Sequence, residues 1–190
     1  MKSLNCFLLV FGIFSLGCNG EKPQSTGDRT TPVSVKKDFN SMFLLESHLK
    51  GYRKNSQNPE NDQKTKDAMK KSGVIKSFSN IWVRNDVVID SRTLFSTAAF
   101  TSRYYSGAVR NGMKEFRSIR KCTFTKEDCT ILSGTIKHPE GKFQLTGETC
   151  LFRVGNVVGR VFLARNSIQV KVDPERINIL CKKAYYLSAK

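Results

Sequence analysis

The run Glu148-Thr-Cys-Leu-Phe-Arg-Val154, Gly155-Asn156, Val157-Val-Gly-Arg-Val-Phe-Leu-Ala164 places two β-branched and aromatic segments around a Gly-Asn pair. Such side chains suit a pleated surface, and Gly-Asn suits a tight reversal, so the run predicts an antiparallel hairpin. The same pattern continues outward. Residues 130–137 and 142–145 flank His138-Pro-Glu-Gly141, a turn by composition, and 74–84 and 87–89 flank Asn85-Asp86. Residues 93–106, rich in Phe, Thr and Tyr, read as a further strand that breaks at Gly107. Residues 167–172, 177–181 and 184–187 read as closing strands. Short strands at close intervals with turn residues between them predict an antiparallel sheet or a partly open barrel.

Helical spacing is confined to fewer places. Phe39, Met42, Phe43, Leu45, Leu49 and Tyr52 recur at three- and four-residue steps, so 36–53 predicts an amphipathic helix capped by Asp38. A short helix over 65–72 is expected to stop at Gly73. In 108–121, Met113, Phe116 and Ile119 alternate with Lys114, Arg117, Arg120 and Lys121, which fits a short helix with a basic face better than a strand. The fold class expected is therefore α+β, with the N-terminal amphipathic helix packed on the antiparallel sheet. A lone tryptophan on a strand is most often a core residue, and Trp82 is assigned there.

The start of the chain is of a different kind. Met1-Lys2 is followed by Cys6-Phe-Leu-Leu-Val-Phe-Gly-Ile-Phe-Ser-Leu16 and then Gly17-Cys18, the layout of an export signal over 1–17. The apolar run falls short of the ~18–20 residues that cross a bilayer. Residues 18–34 are rich in Gly, Pro, Ser and Thr without apolar periodicity, and read as a flexible tether. Residues 35–190 then form one domain, since about 150 residues are enough for a core of their own.

Cys122, Cys129, Cys150 and Cys181 fall in that domain. In an exported chain four cysteines imply two disulfides, with three connectivities open. The six-residue gap favours Cys122–Cys129, leaving Cys150–Cys181. A zinc site is disfavoured because the spacing is not C-x-x-C and neither histidine is near in sequence. No metal and no cofactor are expected.

Charge is the second strong feature. The net charge of +16 would raise the on-rate for anionic partners: lipid headgroups, sulfated polysaccharide, nucleic acid or acidic protein patches. A solvated basic surface would have the same composition. Two basic-aromatic clusters are candidate anion sites, because Arg forks pair with sulfate or phosphate oxygens and aromatic faces stack. One comprises Arg103, Tyr104, Tyr105, Arg110, Lys114, Arg117, Arg120 and Lys121; the other is Lys182 and Lys183 beside Tyr185-Tyr186. Each also fits an ordinary element with a solvated face. Only His48 and His138 offer acid–base chemistry at neutral pH, and neither context favours a ribonuclease-like pair. No nucleophile elbow, phosphate loop or dinucleotide fingerprint occurs, and no carboxylate pair is evident, so no catalytic residue is assigned.

Ser15-Leu16-Gly17-Cys18 resembles the lipobox of bacterial lipoproteins, with Cys18 as the residue acylated after cleavage. It departs from the family pattern in carrying Ser15 three places before the cysteine, where leucine is usual. The Lys-, Asn-, Ser- and Phe-rich body is similar to spirochaete lipoproteins, which tolerate looser lipoboxes. Cleavage after Gly20, with plain secretion, is the alternative. The resemblance covers about twenty residues and implies a membrane attachment through lipid at Cys18 on the bacterial outer membrane or cell surface. It further implies an adhesin-like binding protein for host matrix, plasminogen or complement regulators. A basic surface adds the expectation of an acidic or sulfated macromolecule as partner, with nucleic acid less favoured. A periplasm-facing envelope protein, or a secreted nuclease or toxin, are the alternative readings.

Overall fold

The computed structural model describes residues 38–55, 67, 69–137, 144–165 and 173–189. The leader, the tether with Cys18, the turn carrying His138 and the strand expected over 167–172 lie outside these residues. Seven strands, β1 (Arg53–Asn55), β2 (Val74–Val83), β3 (Asp86–Phe95), β4 (Ser118–Lys121), β5 (Cys129–Lys137), β6 (Gln144–Val154) and β7 (Val157–Arg165), form one antiparallel sheet. Its order is β1-β2-β3-β7-β6-β5-β4. The chain thus lays down β1 to β3, crosses to the far edge, and returns by β4 to β7 until β7 pairs with β3. The sheet is open rather than a barrel. Both edge strands are short and carry Lys or Arg, which discourages pairing with another chain.

The β6–β7 hairpin reverses at Gly155, whose φ of +53° suits glycine, with Val154 opposite Val157. Successive side chains of a strand point to opposite faces, so each central strand contributes to two cores. Val88, Ile131, Cys150, Phe152, Val161 and Leu163 enter one core. Their neighbours Ile89, Leu132, Leu151 and Phe162 enter the other. Trp82 is buried in the first, as expected of it.

Helix α1 (Ala98–Glu115) covers the second core and helix α2 (Pro174–Ala189) the first. Both replace expected strands. Residues 93–106 are strand only to Phe95; Thr97 then caps α1 by accepting from Phe100 N at 3.3 Å. From there Thr101, Tyr105, Ala108, Val109 and Gly112 keep helical spacing toward the sheet, so the aromatic content was misleading and the period was decisive. The helix expected over 108–121 is the end of α1, and from Ser118 the chain is β4. At the C-terminus, Asp173 accepts from Glu175 N at 3.0 Å and Pro174 occupies the first helical position. Ile177, Leu180, Cys181, Ala184 and Tyr185 then bury one stripe of α2 instead of two strands.

The N-terminal amphipathic helix expected over 36–53 is instead two 3-10 turns, Phe39–Met42 and Glu46–His48, followed by β1. Phe39, Met42, Phe43, Leu49 and Tyr52 are buried as a helix would bury them, whereas Leu45 is exposed. What breaks the helix is a tertiary bond: Leu44 N donates to the buried Asp90 carboxylate at 2.7 Å, which pulls residues 43–45 extended. The helix expected over 65–72 is represented by its last turn, 69–71, ending at Gly73 with φ +68°.

Arg92 holds these layers together. It is wholly buried and ion-paired with Asp90. It also donates to Ser188 Oγ at 3.0 Å and the Ala184 carbonyl at 3.4 Å on α2, and to the Met42 carbonyl at 3.0 Å. The Phe43 and Phe152 rings flank its guanidinium. Asp86 makes a second node, accepting from Tyr52 Oη and from Arg176 Nη1 at 2.6 Å. Burial pushes its carboxyl above the usual value, and Arg165 only partly offsets this.

Candidate binding groove

Cys122 bonds Cys129 and Cys150 bonds Cys181, the pairing that the sequence spacing favours. With sequence separations of 7 and 31, a chain-entropy estimate gives about 2 and about 4 kcal/mol. The first bond closes a loop over the C-terminal half of α2. In that loop Phe124 sits against Tyr185 and Tyr186, with ring centroids 5.7 and 6.5 Å away. Tyr185 Oη donates to Glu127 Oε2 at 2.8 Å and accepts from Thr125 Oγ1 at 3.1 Å. Tyr185 is thereby fixed inward, and Tyr186 is held half-exposed beside it.

A groove of about 430 Å³ runs along the outer side of α2, lined by His48, Ile179, Lys182, Lys183, Tyr186 and Leu187. The helical period puts Ile179, Lys182, Lys183 and Tyr186 on neighbouring turns, while the second 3-10 turn supplies His48. Ile179 is 52 % and Tyr186 42 % exposed, so both present apolar surface to the groove. Among the described residues, no carboxylate lies within ion-pair distance of Lys182 or Lys183. His48 Nδ1 accepts from Leu45 N at 3.1 Å, which requires that nitrogen to be unprotonated. Partial burial, then the nearby Lys183, hold its pKa below 6.5, against a smaller pull from Asp90. The groove thus combines an apolar wall with two cations and one imidazole.

The larger basic-aromatic cluster does not assemble into one site. Arg103, Arg110 and Lys114 are exposed on α1, on the opposite side of the sheet from Lys182 and Lys183. Tyr104 lies half-exposed over Phe95, with centroids 5.0 Å apart. Tyr105 is buried, its hydroxyl 2.8 Å from Thr130 Oγ1, and so is structural. Arg117 and Lys121 are exposed at the β4 edge, whereas Arg120 turns to the α2 side and donates to Asn178 Oδ1 at 2.9 Å. Two cationic surfaces back to back are what the fold makes of the expected clusters.

Sequence reasoning missed Ile179, Leu187 and the part His48 plays in the groove. Asp173-Pro174 followed by apolar residues at three- and four-residue steps is the signal that would have exposed α2, and with it the groove face.

No protein-family model matches the chain, and no curated protein matches it. The fold is similar to that in the crystal structure of the extracellular domain of PknH from Mycobacterium tuberculosis. The match has a TM-score of 0.56 and 10 % identity, over 85 % of this chain and 100 % of that one. At that identity the likeness is one of fold. No helix among the described residues is long and apolar enough to cross a membrane.

Proposed function

We propose that this chain is an exported binding module that takes an acidic segment of a partner protein into the α2 groove. The observation that carries this reading is the pairing of Lys182 and Lys183 with the exposed Ile179 and Tyr186 along one helix face. Lysine charges attract a carboxylate-rich segment, and the apolar wall removes part of its side-chain surface from water. Two disulfides belong to an oxidising compartment, and the fold occurs in an extracellular domain, which support export. The lipobox-like Ser15-Leu16-Gly17-Cys18 supports attachment to a bacterial envelope through acylated Cys18. The mass of the mature N-terminus tests that part: a diacylglycerol adduct on Cys18 is expected, and an unmodified N-terminus beyond it would refute it.

A second reading is favoured by the exposed Arg103, Arg110 and Lys114 on α1, a cationic strip with Tyr104 and Met113 exposed beside it. That surface suits a sulfated polysaccharide, in keeping with an adhesin-like role. Two probes separate the readings: a labelled peptide alternating Glu with Leu and Phe, and a heparin fragment. Lys182→Glu with Lys183→Glu is expected to weaken the peptide about tenfold or more, with affinity falling as salt rises, and to leave heparin retention nearly unchanged. Equal losses for both probes would contradict a dedicated groove.

A further inference from the structure

The sequence spacing that speaks against a metal site does not describe the cysteines in space. All four sulfurs lie within 4.8 Å of one another. Cys129 Sγ is 3.7 Å from Cys150 Sγ and 3.8 Å from Cys181 Sγ, and Cys122 Sγ is 4.0 Å from Cys150 Sγ. Four thiolates at about 2.3 Å from a tetrahedral zinc ion stand about 3.8 Å apart. Three of the four distances between the two pairs therefore already approximate edges of that tetrahedron. Stapling alone makes no demand that two disulfides touch each other; a shared site does.

We infer that Cys122, Cys129, Cys150 and Cys181 form a soft-metal site of the zinc class when the chain is reduced. The same residues then carry either two disulfides or one divalent cation. Each comes from a different element or its border: the end of β4, the start of β5, the middle of β6 and the middle of α2. All four are buried, so stray ligands are excluded and the geometry is imposed by the core. The Cα separations within the bonded pairs, 5.4 and 6.0 Å, let the sulfurs part by side-chain rotation.

The chemistry balances with a phosphine reductant. Each disulfide consumes one phosphine and one water, giving one phosphine oxide and two thiols. Binding of the cation then releases the four thiol protons, leaving a site with two net negative charges. The overall charge of +16, with Lys121 and Lys182 adjoining two of the ligands in sequence, opposes that excess.

The test uses the full chain treated with a phosphine and titrated with Co²⁺ and Zn²⁺. Expected are one cation per chain by atomic spectrometry, the thiolate charge-transfer and tetrahedral ligand-field absorption of a Co²⁺ tetrathiolate, and no uptake by the oxidised chain. Cys150→Ser is expected to lose that spectrum. Should the reduced, metal-free chain unfold, restoration of its circular dichroism by Zn²⁺ at one equivalent supports the site. Uptake well below one equivalent, an octahedral Co²⁺ spectrum, or an unchanged spectrum in Cys150→Ser would overturn it.

Discussion

A guanidinium with no access to water must satisfy itself inside the protein, and Arg92 does so by reaching into three parts of the chain at once. Asp90 neutralises it, while Met42, Ala184 and Ser188 bind it to the N-terminal segment and to α2. Removing one member of such a pair leaves a buried charge uncompensated. Asp90→Ala is expected to cost about 3–5 kcal/mol in urea unfolding, with Arg92→Met combined with Asp90→Ala recovering much of the loss. If the single change costs under about 1 kcal/mol, the pair does not hold the layers. Nothing in the sequence around Ser91 distinguishes this pair from surface charges, because its burial depends on residues 46 and more positions away. The disulfide pairing, by contrast, was legible as a preference among three open connectivities, since the short gap between Cys122 and Cys129 is a local property.

At the scale of elements, the strands around tight turns were readable because alternation and turn residues are neighbours in sequence. The β2–β3 and β6–β7 turns fall where expected, but β3 runs on to Phe95 rather than stopping at Ile89, and β6 begins at Gln144, joining two segments expected to be separate strands. Helices α1 and α2 were hidden by aromatic and β-branched content that favours strands in isolation, while their capping residues and 3.6-residue period agreed with the fold. The N-terminal segment failed in the other direction, since its helical period survives as two 3-10 turns diverted by Asp90. The second of these turns also carries a pH response. His48 titrates below 6.5 in the folded chain, so folding disfavours its protonated form. The stability it contributes is present above pH 6.5 and is lost as the pH falls through its lowered value. Protonation also withdraws the Nδ1 acceptor from Leu45 N and adds a cation to the groove. His48→Asn is expected to flatten both the loss of stability and the gain in acidic-peptide affinity between about pH 7 and pH 5. A variant with the wild-type slope in both would contradict this assignment.

For the molecule as a whole, the sheet is a partition. One side presents the cations of α1; the other presents the α2 groove, with the disulfide loop bracing Tyr186 through Phe124. The expected basic clusters were legible as composition, but their separation was not, because it depends on which faces the two helices cover. Binding would therefore be directional, since the domain offers two chemically different surfaces. The most direct measurement is isothermal titration of the Glu/Leu/Phe peptide against the wild-type chain, Lys182→Glu with Lys183→Glu, and Arg103→Glu with Arg110→Glu and Lys114→Glu. Reversing the α2 pair is expected to abolish most of the binding, and the α1 triple change to leave it within about twofold. Peptide affinity that follows the α1 changes, or total charge alone, would contradict it.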